Sequence, residues 1–412
     1  MKIGFYGLSH LGLVHLVAYA SKGFTVVGFD PDPELINGLS CENWTIREPG
    51  LLQTYSDNLE RISLTSDLSE FLKSDIIYFS EDVPTNSSAI SDFSSTERAI
   101  ESVIGSICES VPLILLSQVP PGFTRKYSDF HGNFYYQVET LVFGNAVDRC
   151  INPERIIVGT SEENLGNSKI STLLGAFECP IIWMNYESAE LTKISINMYL
   201  ANSVSLTNAL SEFSKNVGAD WKSVKLALQL DKRIGKDAYL SPGLGLSGGN
   251  IERDIETLRS LSTPGSLINK LAIYYQESSA LQRTWLRMQV INVLVNPEFK
   301  VALLGITYKP ETNSVKNSIP LEVLGEFRAN IQNVYDPAFV NNAIYQTANS
   351  IWDCIKDSEV LIIGTPWKDF FGIEPLILKS KVRIVIDPFD VLDSSKLIFI
   401  ERYSSLTREF HK

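Results

Sequence analysis

The sequence predicts an α/β protein with an N-terminal doubly wound parallel sheet, a central region built on one long helix, and a second α/β domain. A strand, a glycine turn, a helix, a second strand and an acid follow one another within the first thirty residues. The stretch from Glu187 to Asn216 is periodic and free of Gly and Pro, which predicts a single helix. Apolar runs bounded by turn residues resume near Lys300.

The N-terminal elements follow in a clear order. Residues 2–6 are a short apolar run, and "GLSHLG" at 7–12 is a turn. A periodic apolar helix continues to about Ser21, and "FTVVGFD" at 24–30 is a second strand. Only one Lys precedes the apolar stretch and two histidines interrupt it, so we expect a strand, turn and helix here rather than a signal peptide.

The turn fits the dinucleotide-binding pattern G-x-G-x-x-G of Rossmann-type domains at Gly7 and Gly12, with Ser9 in the middle place. The serine adds a Cβ and a hydroxyl where a pyrophosphate approaches the backbone, which could shift or weaken the cofactor. Asp30 is placed to accept from the adenosine ribose and to repel a 2′-phosphate, which favours NAD over NADP. The open alternative is an α/β domain that has kept this shape without the cofactor.

Further strands are expected in both halves, and the C-terminal domain is expected to be Rossmann-like as well. The N-terminal candidates lie at 75–80, 112–117, 133–139 and 155–160, and the C-terminal ones at 300–309, 331–337, 359–367 and 382–393. We therefore predict an NAD-binding domain over residues 1–186, a central helical and dimerisation region over 187–290, and a ligand-binding domain over 291–412.

Composition excludes several classes of function. The net charge is −12 and there is no basic run, so no nucleic-acid partner is expected. The five cysteines are scattered without a C-x-x-C pair, and the four histidines are scattered too, which favours a reducing cytoplasm with neither disulfides nor a metal site. No apolar run reaches the ~18–20 residues that a membrane span needs.

Two segments follow strand ends, where open α/β sheets bind their ligands. These are "DVPT" at 82–85 and "SQVPPGFT" at 117–124, which make Pro84 and Ser117 candidates for contact with the cofactor. Taken alone, both segments are equally well read as ordinary turns.

Two further patterns carry candidate chemistry. Lys193 and Asn197 are four residues apart on the predicted long helix, so they share a face and could stabilise an alkoxide, unless the lysine is simply solvated. The glycine-rich segment "YLSPGLGLSGGN" at 239–250 could wrap a ligand closely, or could be a flexible linker.

Together, these segments resemble the nucleotide-sugar dehydrogenase family, the UDP-glucose and GDP-mannose dehydrogenases. The resemblance runs through the whole chain and is carried by "GLSHLG", "GFDPD", "REPGL", "DVPT", "SQVPPGFT", "INPERIIVG", "ESAELTKISINMYLANSVSLTNAL", "RIGKDAYLSPGLGLSGGNIERD", "LLGITYKPETNSVKNS", "VYDP" and "VIDPFDVLD". It implies an NAD-dependent enzyme that oxidises a sugar alcohol twice, through an aldehyde held on a cysteine and a thioester that water cleaves.

The resemblance also assigns roles to residues. It places Lys193 and Asn197 on the oxyanion, Asp254 beside the active-site water, and Glu139 as a base. The expected substrate contacts add to that pair Arg233, which would reach a neighbouring subunit, together with Tyr239, Gly245 and Lys309. Lys316 stands where the family has an arginine that reaches NAD, and it joins Gly7, Ser9, Gly12, Asp30, Pro84 and Ser117 as the expected cofactor contacts.

The departures from the family pattern are concentrated in the second half of the reaction. Asn250 stands in place of the catalytic cysteine, Phe143 in place of a second glutamate, and Gln118 in place of a threonine that holds water. Pro388 and Phe389 replace a glycine and a substrate-binding arginine. Cys150 has no catalytic role in the resemblance.

The resulting expectation is a cytoplasmic, homo-oligomeric, NAD-dependent oxidoreductase of polysaccharide biosynthesis, with no membrane or nucleic-acid partner. It would interconvert an alcohol and a carbonyl on a nucleotide-activated sugar in one two-electron step, with Asn250 holding the carbonyl. One alternative is a full four-electron oxidation through the aldehyde hydrate. Another is a catalytically silent relative that binds nucleotide-sugar or NAD.

Overall fold

The computed structural model describes residues 1–41, 44 and 46–411, and the chain divides into two compact units. The first unit is Met1–Ile196 and the second is Asn197–Lys412, so the division falls inside the long helix. The three-part division at residues 186 and 290 stays a prediction.

The described part of the first unit contains an eight-stranded sheet of order β3-β2-β1-β4-β5-β6-β7-β8. Its strands are β1 (Lys2–Tyr6), β2 (Thr25–Phe29), β3 (Ile62–Thr65), β4 (Ile76–Phe79), β5 (Leu113–Leu115), β6 (Phe134–Gln137), β7 (Ile156–Thr160) and β8 (Ile181–Asn185). The predicted strands are confirmed, whereas β3 and β8 were not expected. The sheet is mostly parallel, as predicted, and the pair β6 with β7 is antiparallel.

Helices cover both faces of this sheet. They are α1 (His10–Ser21), α2 (Pro33–Ser40), α3 (Leu51–Asp57), α4 (Leu68–Phe71), α5 (Ser94–Ile104), α6 (Phe123–Ser128), α7 (Ala146–Ile151), α8 (Ser168–Gly175) and the start of α9 (Tyr186–Asn216). Helix α1 is buried from Leu11 to Ala20, which explains why the sequence there is apolar on all sides.

The described part of the second unit contains a six-stranded sheet of order β10-β9-β11-β12-β13-β14. Helices both precede this sheet and connect its strands. The helices are the rest of α9, then α10 (Trp221–Leu230), α11 (Asn250–Leu261), α12 (Leu267–Val293), α13 (Ile319–Glu326), α14 (Ile351–Ile355) and α15 (Glu374–Ile377). The strands are β9 (Val301–Leu304), β10 (Ile331–Tyr335), β11 (Val360–Ile363), β12 (Ile384–Ile386), β13 (Arg402–Ser404) and β14 (Glu409–His411). The final hairpin β13–β14 is antiparallel and was not predicted.

The described residues contain neither a membrane-spanning helix nor a metal-ligating cluster. No helix in the described ranges is long and apolar enough to cross a membrane. Within those ranges, no group of three or more His, Cys, Asp and Glu side chains is arranged to hold a metal ion.

The first βαβ unit depends on a close approach between α1 and the preceding turn. Gly7 has a φ of +90°, and its N–H donates to the carbonyl of Phe29 at 2.8 Å. A Cβ on Gly12 would lie 1.9 Å from the Gly7 carbonyl oxygen. The helix can therefore begin this close to the turn only because position 12 has no side chain.

We predict that Gly12→Ala destabilises the protein by about 3 kcal/mol or more, since the added methyl must displace backbone rather than a flexible side chain. Unfolding in urea, followed by circular dichroism, measures the loss. Gly105→Ala is the matched control, because a Cβ there has nothing within 4 Å and its φ is −70°. Equal stability of the two variants would contradict this packing argument.

Candidate active site

The acid that closes the first βαβ unit is held against the glycine turn. Asp30 follows β2, and its carboxylate accepts from Leu8 N at 3.1 Å through Oδ2 and from Asp32 N at 3.1 Å through Oδ1. Both bonds fix the carboxylate at the edge of the sheet where a dinucleotide ribose binds in this class of turn. Gly7, Gly12 and Asp30 thus form the expected constellation.

Ser9 adopts a φ of −70°, a conformation open to any residue, so the backbone does not need glycine at the middle place of the motif. Its hydroxyl donates to the carbonyl of Ser80 at 3.2 Å and accepts from Asp82 N at 3.0 Å. Within the described residues, the Ser9 side chain does not cap α1. The serine therefore joins the turn to the loop after β4 and does not use the helix N–H groups that bind anions.

The expected cofactor contacts after β4 and β5 have structural partners. Ser117 is fully buried, and its hydroxyl donates to the carbonyl of Glu81 at 2.7 Å, which ties the two loops together. Pro84 is exposed, and its carbonyl accepts from Asp92 N at 2.9 Å. Lys316 lies in the second unit and packs against Gly249, since a Cβ added to Gly249 would be 2.8 Å from Lys316 Cε.

A buried glutamate that sequence reasoning missed fixes the loop "SQVPPGFT". Glu190 on α9 is fully buried and accepts from Gly122 N at 2.6 Å and Thr124 N at 2.8 Å, at the start of α6. Burial raises the pKa of this carboxyl, and the two backbone donors partly offset that effect. An acid inside an apolar helix pattern, followed three residues later by Lys193, was the available signal.

Lys193 is buried and ion-paired in the first unit. Its Nζ lies 3.5 Å from Oε2 of Glu139, and the other oxygen of Glu139 accepts from Leu141 N. Burial raises the pKa of Glu139, although the positive charge of Lys193 pulls it in the opposite direction. The interpretation of Lys193 as a solvated lysine is therefore wrong.

A second cluster in this unit was also missed by sequence reasoning. Glu48, from the "REPGL" turn, has a fully buried side chain that lies 3.0 Å from His10 Nε2 and accepts from Gly144 N at 3.1 Å and Ala146 N at 2.8 Å. Burial alone would raise the pKa of Glu48, but the bonds from His10 and the two amides outweigh it and hold the pKa below its ordinary value.

The loop that departs from the family pattern is part of this cluster. The ring of Phe143 packs on His10 with centroids 4.2 Å apart and an angle of 30° between the planes. Where the resemblance expects a second carboxylate at residue 143, the chain thus has an aromatic ring against an imidazole that is held by Glu48.

Cys150 does not supply the missing sulfur. It lies on α7 and is 6% exposed, at the wall of a cleft of about 370 Å³ that Glu139 also lines. Burial raises the pKa of this thiol far above its ordinary value, which makes a nucleophilic thiolate unavailable near neutral pH.

In the second unit, the glycine-rich segment is packed closely and is not a flexible linker. A Cβ on Gly245 would lie 2.9 Å from the carbonyl oxygen of Ser279, and one on Gly248 would lie 2.6 Å from the ring of Tyr308. Arg283 donates to the carbonyl of Leu246 at 3.0 Å. These contacts give the segment one conformation against α12 and the loop after β9.

The candidate polar group of the second unit forms where this segment enters α11. Asn250 is the first residue of the helix and is exposed. Asp254, one turn later, is 1% exposed and accepts from Asn197 Nδ2 at 2.5 Å. Arg253 Nε lies 3.4 Å from the other oxygen of Asp254. The structure therefore brings Asn197 and Asp254 into contact, with Asn250 on the same helix face as Asp254.

The other expected substrate contacts lie at the surface of this unit. Arg233 is 88% exposed in its side chain and pairs with Asp231, and Tyr239 is 44% exposed. Lys309 Nζ lies 5.6 Å from the ring centroid of Tyr308. Phe389 is partly buried, and its Cε1 would be 4.0 Å from a Cβ on Gly243. Their proposed roles stay predictions.

The second unit repeats the turn of the first. Gly305 follows β9 with a φ of +92°, and its N–H donates to the carbonyl of Tyr335 at 2.7 Å. Asp336 then follows β10 and accepts from Ile306 N at 2.7 Å, as Asp30 accepts from Leu8. Both units thus present the carboxyl edge of a parallel sheet as a nucleotide-type site.

A glycine turn closed by an acid, repeated in a second α/β unit, is typical of Rossmann-type nucleotide-binding proteins. Three family models match in order: the UDP-glucose/GDP-mannose dehydrogenase family NAD binding domain at residues 1–174, its central domain at 187–274, and its UDP binding domain at 302–394. The chain belongs to the UDP-glucose/GDP-mannose dehydrogenase family, whose members are oxidoreductases acting on CH-OH, and its cofactor is NAD.

Individual relatives match along nearly their whole length. UDP-glucose 6-dehydrogenase TuaD of Bacillus subtilis (strain 168) is 25% identical and covers 100% of this chain and 92% of its own. UDP-glucose 6-dehydrogenase of Rickettsia bellii (strain RML369-C) is 27% identical over 96% of this chain and 97% of its own.

Solved structures share the fold. A UDP-glucose dehydrogenase from Pyrobaculum islandicum has a TM-score of 0.85 at 25% identity, covering 98% of this chain and 97% of its own. A UDP-D-ManNAc dehydrogenase from Pyrococcus horikoshii has a TM-score of 0.84 at 21% identity, covering 99% of each chain, and shows the fold alone.

We predict that Glu48→Gln lowers the stability of the folded protein by about 1–3 kcal/mol near neutral pH, because buried donors lose their charged acceptor. The folded-state pKa of Glu48 lies below its ordinary value of 4.5. Its contribution is therefore complete above 4.5 and is lost as the pH falls through the folded-state value.

Urea unfolding of both proteins at neutral pH, and at several values below 4.5, measures this difference. The gap between them should narrow as the pH falls. Glu163→Gln, at an exposed position, serves as the control and should show no gap. A gap that is constant with pH would contradict the role of the charge.

Proposed function

We propose that this protein catalyses a two-electron, NAD-dependent interconversion of an alcohol and a carbonyl on a nucleotide-activated sugar. The observation that carries the proposal is Asn250, which is exposed as the first residue of α11 where the family resemblance expects the catalytic cysteine. The thiol of Cys150 is buried and cannot replace it. Without a thiol at residue 250, no thioester forms at this position, and the reaction ends at the aldehyde or ketone.

The dinucleotide turn fits the cofactor. A Cβ on Gly12 would fill the space between turn and helix, and Asp30 is oriented by two backbone bonds. Gly7, Ser9, Gly12, Asp30, Pro84 and Ser117 would hold it in the first unit, and Lys316 is the candidate from the second. When bound, NAD supplies the hydride acceptor.

The proton of the sugar hydroxyl needs an acceptor, and the Lys193–Glu139 pair provides one. As the C–H bond transfers its electron pair as hydride, the O–H proton must leave for the carbonyl to form. Lys193 would stabilise the developing alkoxide, and Glu139, 3.5 Å from its Nζ, would take up the proton. The raised pKa of Glu139 brings this base closer to the working pH.

Asn197 and Asp254 would position the reacting oxygen. Lys193 and Asn197 leave α9 one turn apart, on the same face of one helix. Asp254 accepts from the Asn197 amide at 2.5 Å, which fixes the orientation of that amide. Asn250 carries an amide donor and acceptor for the carbonyl product.

The substrate class is supported by the UDP-binding family model over residues 302–394 and by the second glycine turn at Gly305. We propose that Arg233, Tyr239, Gly245 and Lys309 contact it. Phe389, in place of a substrate-binding arginine, favours a sugar or base that an aromatic ring can pack against rather than UDP-glucose itself.

We also propose a homodimer formed through α9. Exposed apolar side chains recur along one face of this helix with spacings of seven, four and three residues: Tyr199, Leu206, Leu210 and Phe213. Such a stripe is the pattern by which helices pair in solution. The cytoplasmic location inferred from the cysteines stays a prediction.

The stoichiometry tests the proposed reaction. The purified protein, incubated with NAD and a panel of UDP-, GDP- and CDP-sugars, should release one NADH per sugar, measured by absorbance. The product should be two mass units lighter than the substrate in mass spectrometry. Two NADH per sugar with a carboxylate product would establish the four-electron route instead.

A pair of lysine variants separates catalysis from a silent binding protein. Lys193→Ala should abolish NADH production while leaving thermal stabilisation by NAD in place, since the cofactor contacts are elsewhere. Lys222→Ala, at an exposed position on α10, should behave as the unchanged protein. Binding of a nucleotide-sugar with no NADH from any sugar of the panel would overturn the proposed activity.

The α9 interface predicts the oligomeric state. The native chain should scatter light as a dimer or larger assembly, and Phe213→Glu should shift it toward monomer, because a charge would be buried at the contact. Phe371→Glu adds the same charge at an equally exposed position outside the α9 face, and should leave the mass unchanged. A native monomer would count against the interface.

A further inference from the structure

Glu81 lies directly over the dinucleotide turn. It is the second residue after β4, and a Cβ on Gly7 would come within 2.2 Å of its Cγ and within 3.1 Å of its backbone N and Cα. Its carbonyl accepts from the Ser117 hydroxyl, so the main chain at this point is held from the neighbouring loop. The carboxylate is therefore built into the edge of the sheet where the cofactor binds.

The two oxygens of this carboxylate have different surroundings. Oε1 accepts from the Ser95 hydroxyl at 3.0 Å. Oε2 is buried and has no hydrogen-bond partner in the part of the chain that the structure describes. Buried polar atoms are nearly always paired, so an unpaired carboxylate oxygen needs a partner from outside the chain.

Burial and the neighbouring groups shift the pKa of Glu81. Burial is the largest effect and raises the pKa of this carboxyl, and the negative charge of Asp30 raises it further. The Ser95 bond and the charge of Arg98 act in the opposite direction. A ligand hydroxyl that donates to Oε2 would favour the charged form.

We propose that Glu81 is a second acceptor for the adenosine ribose of NAD, beside Asp30, and that it determines the preference for NAD over NADP. Each oxygen of Asp30 already accepts a backbone N–H, from Leu8 and Asp32. By contrast, Oε2 of Glu81 accepts no hydrogen bond from the residues that the structure describes. Its place over Gly7, next to the acid that marks the ribose, selects the adenosine end of the cofactor.

Two carboxylates at this point would discriminate by charge as well as by hydrogen bonding. A ribose diol can donate to both, whereas a 2′-phosphate would bring a negative charge against both. This discrimination between NAD and NADP does not require the sugar substrate, because the adenosine half of the cofactor binds without it.

Isothermal titration of the whole protein with NAD, NADP and ADP-ribose tests the assignment, and no sugar is added. Glu81→Gln keeps the shape of the side chain and removes its charge. The ratio of the Kd for NADP to the Kd for NAD should fall on the order of tenfold, since a charged acceptor is lost and a repulsion is relieved. ADP-ribose should lose affinity to the same extent as NAD.

Glu101→Gln on the exposed surface of α5 is the matched control and should leave all three Kd values unchanged. If Glu81→Gln fails to fold, Glu81→Asp replaces it, because it keeps the charge but withdraws it by one methylene. That variant should weaken NAD while still rejecting NADP. Unchanged Kd values in the substituted protein, or tighter NAD with the same ratio, would show that Glu81 does not contact the ribose.

Discussion

One buried face of α9 carries the polar groups on which both units depend. Glu190, Lys193 and Asn197 follow one another at helical spacing, and each is buried. A buried polar group is costly unless it is paired. Each residue therefore requires a loop to come to it: the "PPGFT" turn to Glu190, the strand end at Glu139 to Lys193, and the start of α11 to Asn197.

The same requirement gives Lys193 its chemistry. In water, an ammonium and a carboxylate attract each other weakly, but a buried pair is screened much less. Lys193 is 8% exposed, with Glu139 as its ion-pair partner. In the proposed reaction, a developing alkoxide on the substrate would compete with Glu139 for the ammonium of Lys193. Because screening is weak at this buried position, the ammonium would stabilise that negative charge strongly. In the proposed reaction, Glu139 would accept the proton when its ion pair with Lys193 loosens.

The sequence predicted the elements that follow a strict period. The turn at Gly7, the long helix and most strands of both sheets were found from spacing alone, because apolar periodicity and glycine turns are local properties. Strands β3 and β8 and the last hairpin were not predicted. The direction of β6 relative to β7 depends on a connection through α7, which spacing does not encode.

The site was harder to predict because the decisive acids are defined by burial. Glu48 and Glu81 are ordinary residues in the sequence, and nothing local distinguishes them from surface glutamates, whereas Glu190 has the weak signal of an acid inside an apolar helix pattern. In the structure, each meets donors from segments distant in the chain, such as Ala146 N with Glu48. Ser9 shows the converse: it breaks a glycine motif, yet its φ of −70° costs nothing.

The position of residue 250 explains what the loss of the sulfur does and does not remove. As the first residue of α11, it lies at the positive end of a twelve-residue helix. A thiolate there would be stabilised by the helix N–H groups, which is how reactive cysteines are commonly activated. Asn250 cannot ionise, so the positive field at the start of α11 stabilises no anionic nucleophile at this position. The carboxylate of Glu252 in the same turn offsets part of that field. What is left can still polarise a carbonyl oxygen. In the proposed reaction, the site would form a carbonyl without capturing it on a thiol.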